Sequence, residues 1–481
     1  MIVFTFLRLI FIIVSIIGMS MILPLAVAIF CGEYQVIASF LIPMMSAIAA
    51  GIAFYFAGKN KKISLSTRNV FALVVLSWIA ISLFGSTPLL ISGTASSVVD
   101  AVFESVSGFT TSGVTVLSGL DKLPRSINLW RCQTHWLGGM GVIALTIALL
   151  PLLGTGGFQL IKAESSGPEK GKITPKMANT AKSLWMIYAA ITLAETISLM
   201  ICGMDLIDGI TYSFSTLGTG GFATNDSSVG GYNSAAIDIV CTIFMFLGGV
   251  NFSLYFYVIS GKFDEVRKNS ELKGYLIVIA LAVLCVSVSL IRFYGSFAKA
   301  LRYGAFHVAA IITTTGFSTA DYLTWPATAQ FFIFILFFIG SCSGSTSGGF
   351  KIIRWVVLGK QAKNEMMRMI HPHGVFSVRI NGRAGRKDLV FNVAAFTFVY
   401  FFMVMVTTLI GTICKLDVFT SFSMSLSMAS NTGPAFGALG PSANCALLKP
   451  ALKLWYCFVM IAGRLEMFNI LILFIPDYWK K

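Results

Sequence analysis

TTSGV at 110–114, GTGGF at 218–222, TTTGF at 313–317 and SNTGP at 430–434 decide how this chain is read. Each is a short polar segment centred on a glycine (Gly113, Gly221, Gly316, Gly433), and each follows an apolar stretch about one re-entrant helix long, near 97–108, 207–217, 299–312 and 418–429. Irregular backbone rich in Thr, Ser and Gly survives at membrane depth only where it lines water or is buried in protein. Four such segments point to a ring.

The surroundings are those of a membrane. With 56% hydrophobic and 11% charged residues over 481 positions and a mean hydropathy of +0.83, the chain is too apolar for a soluble globular protein. Apolar runs suited to a hydrocarbon core of about 30 Å occur near 2–30, 36–58, 67–92, 129–152, 184–203, 236–260, 274–293, 328–340, 389–413 and 451–476. The run at 328–340 is short and ends in glycines and serines. A cleavable signal peptide is rejected for the first 30 residues, because the apolar run exceeds the usual h-region and a second span follows at once. The nine cysteines include no CxxC pair and lie mostly in spans, where they read as small buried residues.

The net charge of +15 comes from positives beside the spans rather than on one folded face, so lipid and orientation explain it and nucleic acid does not. One loop carries Lys59, Lys61, Lys62 and Arg68. A second carries Lys162, Lys170, Lys172, Lys176 and Lys182. A third carries Lys360, Lys363, Arg368, Arg379, Arg383, Arg386 and Lys387. The positive-inside rule makes these alternate loops cytoplasmic, with both termini inside and the four glycine segments toward the outside.

Setting the four glycines in register gives intervals of 108, 95 and 117 residues. The repeating unit is span, half-helix, polar turn, span. A second landmark recurs in each closing span: WLGGMG at 136–141, FLGGVN at 246–251, FIGSCS at 338–343 and IAGRLE at 461–466. The expected fold is therefore an all-α polytopic membrane protein with four pseudo-fourfold span–pore helix–span repeats around a central pore, plus an N-terminal helical hairpin. Its parts are residues 1–58 (hairpin), 66–155, 180–262, 272–358 and 388–481 (repeats). A gene-duplicated transporter without a pore would explain the glycines by close helix packing, but not the adjoining Thr and Ser.

A dehydrated monovalent cation needs oxygens in place of its water, and backbone carbonyls supply them without net charge. Turning successive carbonyls to one side requires angles that glycine accepts cheaply. Hydroxyl and amide side chains add further oxygens and bonds to the wall. The candidate filter is thus Thr111, Ser112, Gly113, Thr219, Gly220, Gly221, Thr314, Thr315, Gly316, Asn431, Thr432 and Gly433. Each half-helix aims its partly negative C-terminal end at the centre, which favours a cation. Asp100, Asp205, Asp208 and Asp417, near the half-helix starts, read as helix caps rather than ion ligands.

These segments, together with WRCQTHWLGGMGV, GSCSGSTSGGFKIIR and GRLEMF, resemble the TrkH/TrkG potassium-uptake proteins, relatives of KtrB and the plant HKT proteins, over essentially the whole chain. The resemblance implies a potassium-translocating subunit of a bacterial or archaeal cytoplasmic (inner) membrane. It also implies a homodimer, regulated by cytoplasmic nucleotide-binding subunits of the TrkA type. Potassium is then the transported ion, with no organic cofactor bound to this chain. A serine in the first filter of HKT relatives accompanies sodium preference, whereas Gly113 stands here. Departures from the family pattern are Ser112 for the commoner Thr, Val114 for Ala, and Ala435 for the usual Gly.

GSCSGSTSGG at 340–349 interrupts a span, which requires a cavity to face. In the family the equivalent segment is an intramembrane loop that obstructs the pore below the filter. The gate set is Gly340, Gly344, Ser347, Gly348, Gly349, Lys351 and Arg464, with Ser347 in place of the first of three glycines. Lys351 reads as a membrane-edge or loop-anchoring residue. Arg464, within the last span, costs about 3 kcal/mol at a helix centre and so needs a partner or water. Glu466 is a poor partner because residues two apart do not share a helix face; the resemblance places Arg464 in the pore. Glu104 is expected to brace the first half-helix, Glu195 to hydrogen-bond between helices, and His135 and His307 to be satisfied buried histidines.

The chain has no enzyme signature such as HExxH, and no P-loop or GxGxxG after a strand. A nucleotide effect must come through another polypeptide; the basic loops at 161–182, 261–273 and 357–388 suit its docking surface, and a solvated face against anionic lipid accounts for their charge equally well. The alternative function is a sodium- or proton-coupled potassium symporter, for which Glu104, Glu195 and Glu466 are the candidate membrane carboxylates.

Overall fold

The computed structural model of the protein describes residues 2–58, 67–141, 177–381, 383–384 and 387–480. The second half of the span expected at 129–152, the basic positions Lys59, Lys61, Lys62, Lys162, Lys170, Lys172, Lys176 and Arg386, and the limits of the first repeat at 66 and 155 lie outside the described residues. Among the described residues the architecture is helical, with one two-residue antiparallel hairpin pairing Arg379–Ile380 with Arg383–Ala384.

Among the described residues, six helical segments are long and apolar enough to cross a bilayer: Phe4–Phe30, Tyr34–Ala57, Arg68–Ile91, Lys182–Ile201, Ser270–Tyr294 and Leu389–Ile413. Their outer faces stay bare. Leu281, Leu284 and Val288, spaced by about one helical turn on Ser270–Tyr294, are each more than half exposed, as lipid-facing side chains are.

The four half-helices are Val98–Phe109, Leu206–Leu217, Phe297–Ile312 and Val418–Ser430, close to the stretches read from the sequence. Three begin on side-chain caps: Ser97 accepts from Asp100 N, Asp205 from Asp208 N and Asp417 from Thr420 N. The capping role expected of Asp205 and Asp417 is thus present. Asp100 and Asp208 sit one turn in, Asp100 paired with Lys453 at 2.6 Å and Asp208 bonded by the Tyr232 hydroxyl at 2.7 Å.

The N-terminal hairpin packs on the first repeat. Glu33, in its outer turn, accepts from the amides of Arg125 (2.6 Å) and Ser126 (3.1 Å) and from the Ser126 hydroxyl (2.5 Å). Those amides open the helix Arg125–Gly139, so the carboxylate answers orphan donors and the positive end of the helix dipole together.

One expectation is corrected. The runs at 236–260 and 451–476 are not continuous spans: Ala235–Gly248 meets Phe252–Ile259 at 91°, and Pro450–Arg464 meets Phe468–Phe474 at 111°. Arg125–Gly139 and Ala327–Leu336 likewise stop at or just before their landmark sequences. The second landmark of every repeat is therefore a helix end, although composition announces such a break only at 340–349. The physical reason is that backbone freed by the break finds partners inside the protein. Gly249 O accepts from Cys342 N (3.1 Å), and Phe252 N donates to Gly344 O (3.0 Å).

Candidate ion pathway

Each half-helix ends in a left-handed residue, and the four are equivalent: Thr111 (φ 59°), Thr219 (φ 53°), Thr314 (φ 55°) and Asn431 (φ 56°). Two positions later the glycines repeat the handedness, at φ 73° for Gly113, 85° for Gly221, 76° for Gly316 and 102° for Gly433. The residue between is not left-handed in any repeat. A strand sends successive carbonyls to opposite sides and a helix sends them along its axis. This alternation can turn them to a common side.

A β-branched residue in the left-handed region is an outlier that persists only where its surroundings fix it. Here the helix end does so. Thr111 N bonds Gly108 O (3.0 Å) and Ser112 N bonds Ser107 O (2.9 Å), and the same pair of bonds recurs at Thr219 and Gly220 and at Asn431 and Thr432. This is the Schellman arrangement with Thr or Asn where glycine is usual.

The four turns form a closed circuit. A Cβ added to Gly113 would overlap Gly220 O, one on Gly221 would overlap Thr315 O, one on Gly316 Thr432 O, and one on Gly433 Ser112 O. Each glycine therefore rests on the carbonyl of the next repeat, and the fourth returns to the first. Side chains tie the ring further: Thr110 to Ser112 at 3.0 Å, Thr313 to Thr315 at 2.8 Å, Ser430 to Thr432 at 2.6 Å, and Asn431 Nδ2 to Ser112 Oγ at 2.7 Å. All twelve residues expected in the filter belong to these four segments.

The second segment has glycine where the others carry hydroxyls, and His135 explains why. Its ring fills the space a Gly220 side chain would need, and its backbone crowds Gly218. Nδ1 donates to Gly108 O (2.8 Å) while Nε2 accepts from Phe222 N (3.2 Å), which fixes the neutral tautomer and joins the first half-helix to the second filter segment. His307 is satisfied too, between Tyr303 O (3.0 Å) and Ala320 O (2.9 Å).

Glu104 braces more than its own half-helix. It pairs with Arg131 at 2.7 Å, both fully buried, and accepts from Val116 N and Thr115 Oγ1 at 2.9 Å. Arg131 goes on to Ala223 O (3.2 Å) and covers the Phe222 ring at 4.3 Å. One ion pair thus clamps the backbone leaving the first and second filter segments. Arg131 was not singled out in the sequence; the acid within an apolar half-helix was the signal that a cation must face it.

On one side the ring opens to a cavity of about 300 Å³ bounded by Gly113, Gly221, Gly316 and Gly433 at its base and by residues such as Ser118, Asp226 and Asn444 at its mouth. Asp226 is fixed there by the amides of Gly119 (2.8 Å) and Leu120 (3.0 Å).

Residues 340–349 pack against the other side of the ring. Gly348 N donates to Thr314 Oγ1 (2.8 Å), and a side chain at Gly348 would overlap Ser430 O. Lys351 is buried, with its ammonium on Ser347 O and 3.3 Å from Ser347 Oγ. It thereby holds the loop at Ser347. Arg464 is the last residue of its helix rather than the middle of a span. Its guanidinium donates to Thr111 Oγ1 (3.1 Å), Thr346 O (2.7 Å), Gly138 O (2.5 Å) and Gly139 O (2.9 Å), joining the first filter segment, the loop and a helix end. Glu466 pairs instead with Arg354, at 2.7 Å. Of the residues expected as a gate, Gly340, Gly344, Ser347, Gly348 and Gly349 lie in this loop, and Lys351 and Arg464 bond its backbone.

Comparison with known proteins agrees over nearly the whole chain. The model of a cation transport protein family, TrkH, matches residues 36–481. The Trk system potassium uptake protein TrkH of Halomonas elongata is 38% identical over 449 residues, 92% of each chain. TrkG of Escherichia coli K12, also a Trk system potassium uptake protein, is 34% identical over 473 residues, 96% of each. The crystal structure of the potassium transporter TrkH from Vibrio parahaemolyticus superposes with a TM-score of 0.88 at 32% identity, covering 100% of both chains.

Proposed function

Because this chain belongs to the TrkH family of cation transport proteins, membrane proteins rather than enzymes, we propose that it takes up potassium through the ring of four left-handed segments. The observation that carries this reading is the closed circuit in which each of Gly113, Gly221, Gly316 and Gly433 rests on a carbonyl of the next repeat. Carbonyls and Thr or Ser oxygens of Thr111–Gly113, Thr219–Gly221, Thr314–Gly316 and Asn431–Gly433 replace the water of the ion. The segment 340–349 obstructs the exit beneath, and Arg464 places a fixed positive charge on the same path.

The division into a hairpin (1–58) and four repeats (66–155, 180–262, 272–358, 388–481) belongs to this proposal. So do a bacterial or archaeal inner-membrane location with both termini cytoplasmic, a homodimer, and control by a TrkA-type nucleotide-binding subunit.

The test is flux in liposomes reconstituted with the purified chain. A potassium gradient alone is expected to drive flux, with a reversal potential indifferent to sodium and pH. A second reading, proton-coupled symport, is favoured by Glu195. Of the three candidate carboxylates, Glu104 and Glu466 are ion-paired, whereas Glu195 is fully buried beside the Thr216 hydroxyl of the neighbouring helix, with no ion pair among the described residues. A reversal potential that moves with pH, and stops moving in Glu195→Gln, would select it.

A further inference from the structure

The loop beneath the ring is also gripped from the face opposite the cavity. Glu271 lies in the first turn of Ser270–Tyr294, whose far end leads through Gly295 into the half-helix Phe297–Ile312. Its carboxylate, only 6% exposed, accepts from Ser343 N (2.6 Å) and from the Ser343 hydroxyl (2.7 and 2.8 Å). It also faces the amide of Ile353, in the helix that follows the loop. One carboxylate thus holds segment 340–349 near its start and at its exit, with hydrogen bonds of the strong, charge-assisted kind.

The neighbouring residue continues the chain of contacts outward. Ser270 N donates to Asn381 Oδ1 (2.8 Å), and Asn381 N donates to Ser270 Oγ (3.2 Å). Asn381 is left-handed (φ 51°) and follows the strand Arg379–Ile380, in the turn of the small hairpin. That hairpin is seated: Val378 and Ile380 are buried with Ile353, Val357 and Val393, and Lys360 Nζ donates to Arg379 O at 2.7 Å. The hairpin, the start of the span and the loop are therefore joined by short polar contacts on both sides of Glu271.

We propose that Glu271 is the positioning residue that keeps segment 340–349 under the ring, and that the hairpin 379–384 is the lever that controls its grip. The idea rests on the reading of that segment as the obstruction. Displacing the hairpin moves Asn381, and with it the first turn that carries Glu271; the loop then loses the acceptor for both Ser343 groups.

The test measures potassium flux in liposomes containing the full chain. Glu271→Ala is expected to raise flux about tenfold, the factor that corresponds to losing roughly one charge-assisted hydrogen bond from the closed state. Asn381→Ala should raise it less, and Glu271→Asp should restore part of the block. Preference for potassium over sodium stays as in the unaltered protein, because the ring is untouched. A gain of flux cannot come from misfolding, so flux at or below the unaltered level overturns the proposal. Should Glu271→Ala not fold, the milder Glu271→Gln and Ser343→Ala and their double variant decide: a double variant no more active than the stronger single supports the clasp, and multiplying effects overturn it. Arg464→Ala serves as control. If neither it nor the unaltered chain conducts potassium, the pore reading fails; if both conduct and Glu271→Ala matches the unaltered chain, only the clasp fails.

Discussion

Replacing Arg464 by alanine should raise potassium flux, and the structure sets the scale. The guanidinium stands 3.1 Å from Thr111 Oγ1 at the inner end of the ring. An ion held by oxygens at that level therefore sits roughly 6 Å from the charge, where repulsion is about 3 kcal/mol at an effective dielectric of 20 and about 0.7 kcal/mol in bulk water. Those limits correspond to roughly 100-fold and threefold in rate. A wet cavity under the ring favours the lower part of the range, so an increase of about 3- to 30-fold is expected in liposomes under a potassium gradient.

Two further substitutions separate charge from bracing. Arg464→Gln removes the charge but keeps an amide donor for the carbonyls of Gly138, Gly139 and Thr346. Arg464→Lys keeps the charge with a single compact donor group in place of the planar fork. If charge forms the barrier, glutamine behaves like alanine and lysine like arginine. If bracing of the loop dominates, lysine conducts more than arginine. Flux that is unchanged or lower in Arg464→Ala, with potassium preference intact, refutes a barrier at this residue.

Gly316→Ser places a side chain against Thr432 O on a backbone at φ 76°, where an L-residue costs about 1–2 kcal/mol before any overlap. Complementation of a potassium-uptake-deficient cell at low potassium should fail, or sodium should pass as well. Arg131→Ala leaves Glu104 buried without its cation, a loss of about 3–5 kcal/mol; a lower melting temperature of the solubilised protein and weakened selectivity are the expected readings. Glu33→Ala should cost about 1 kcal/mol as a lost cap, visible in melting and absent from potassium preference.

The half-helices were legible to within two residues because local chemistry brackets them: a Ser or Asp side-chain cap before three of the four and a glycine turn after every one. The ring followed from register, since four glycines in one order leave few other arrangements. Helix breaks at 248–251 and 464–467 were not legible, because FLGGVNF and IAGRLEMF sit in apolar surroundings that satisfy the length and composition of an unbroken span. Hydropathy sums side chains and does not register backbone partners such as those the loop 340–349 offers at 249–252, where Cys342 N donates to Gly249 O and Phe252 N to Gly344 O. The same limit hid Thr111, Thr219 and Thr314 as left-handed residues, since β-branched side chains argue against that conformation. Arg131 and Glu271 belong to contacts across 27 and 72 residues, for which periodicity carries no information.

The breaks also bear on how the path opens. Where each closing helix stops, its last carbonyls lose their intrahelical donors, and deep in a membrane every such group must find another. Arg464 serves the end of Arg125–Gly139, while Cys342 N serves Gly249 O and Gly344 O serves Phe252 N. Moving the loop withdraws Cys342 N and Gly344 O together, so the groups they release at Gly249 and Phe252 require water in its place. If the segment is the obstruction proposed above, opening and wetting of the cavity are one event: the polar backbone that the loop satisfies becomes a hydrated wall for a departing cation. A helix continuous through these positions would have offered the departing ion no such oxygens, which gives the breaks a reason to recur at the same point of every repeat.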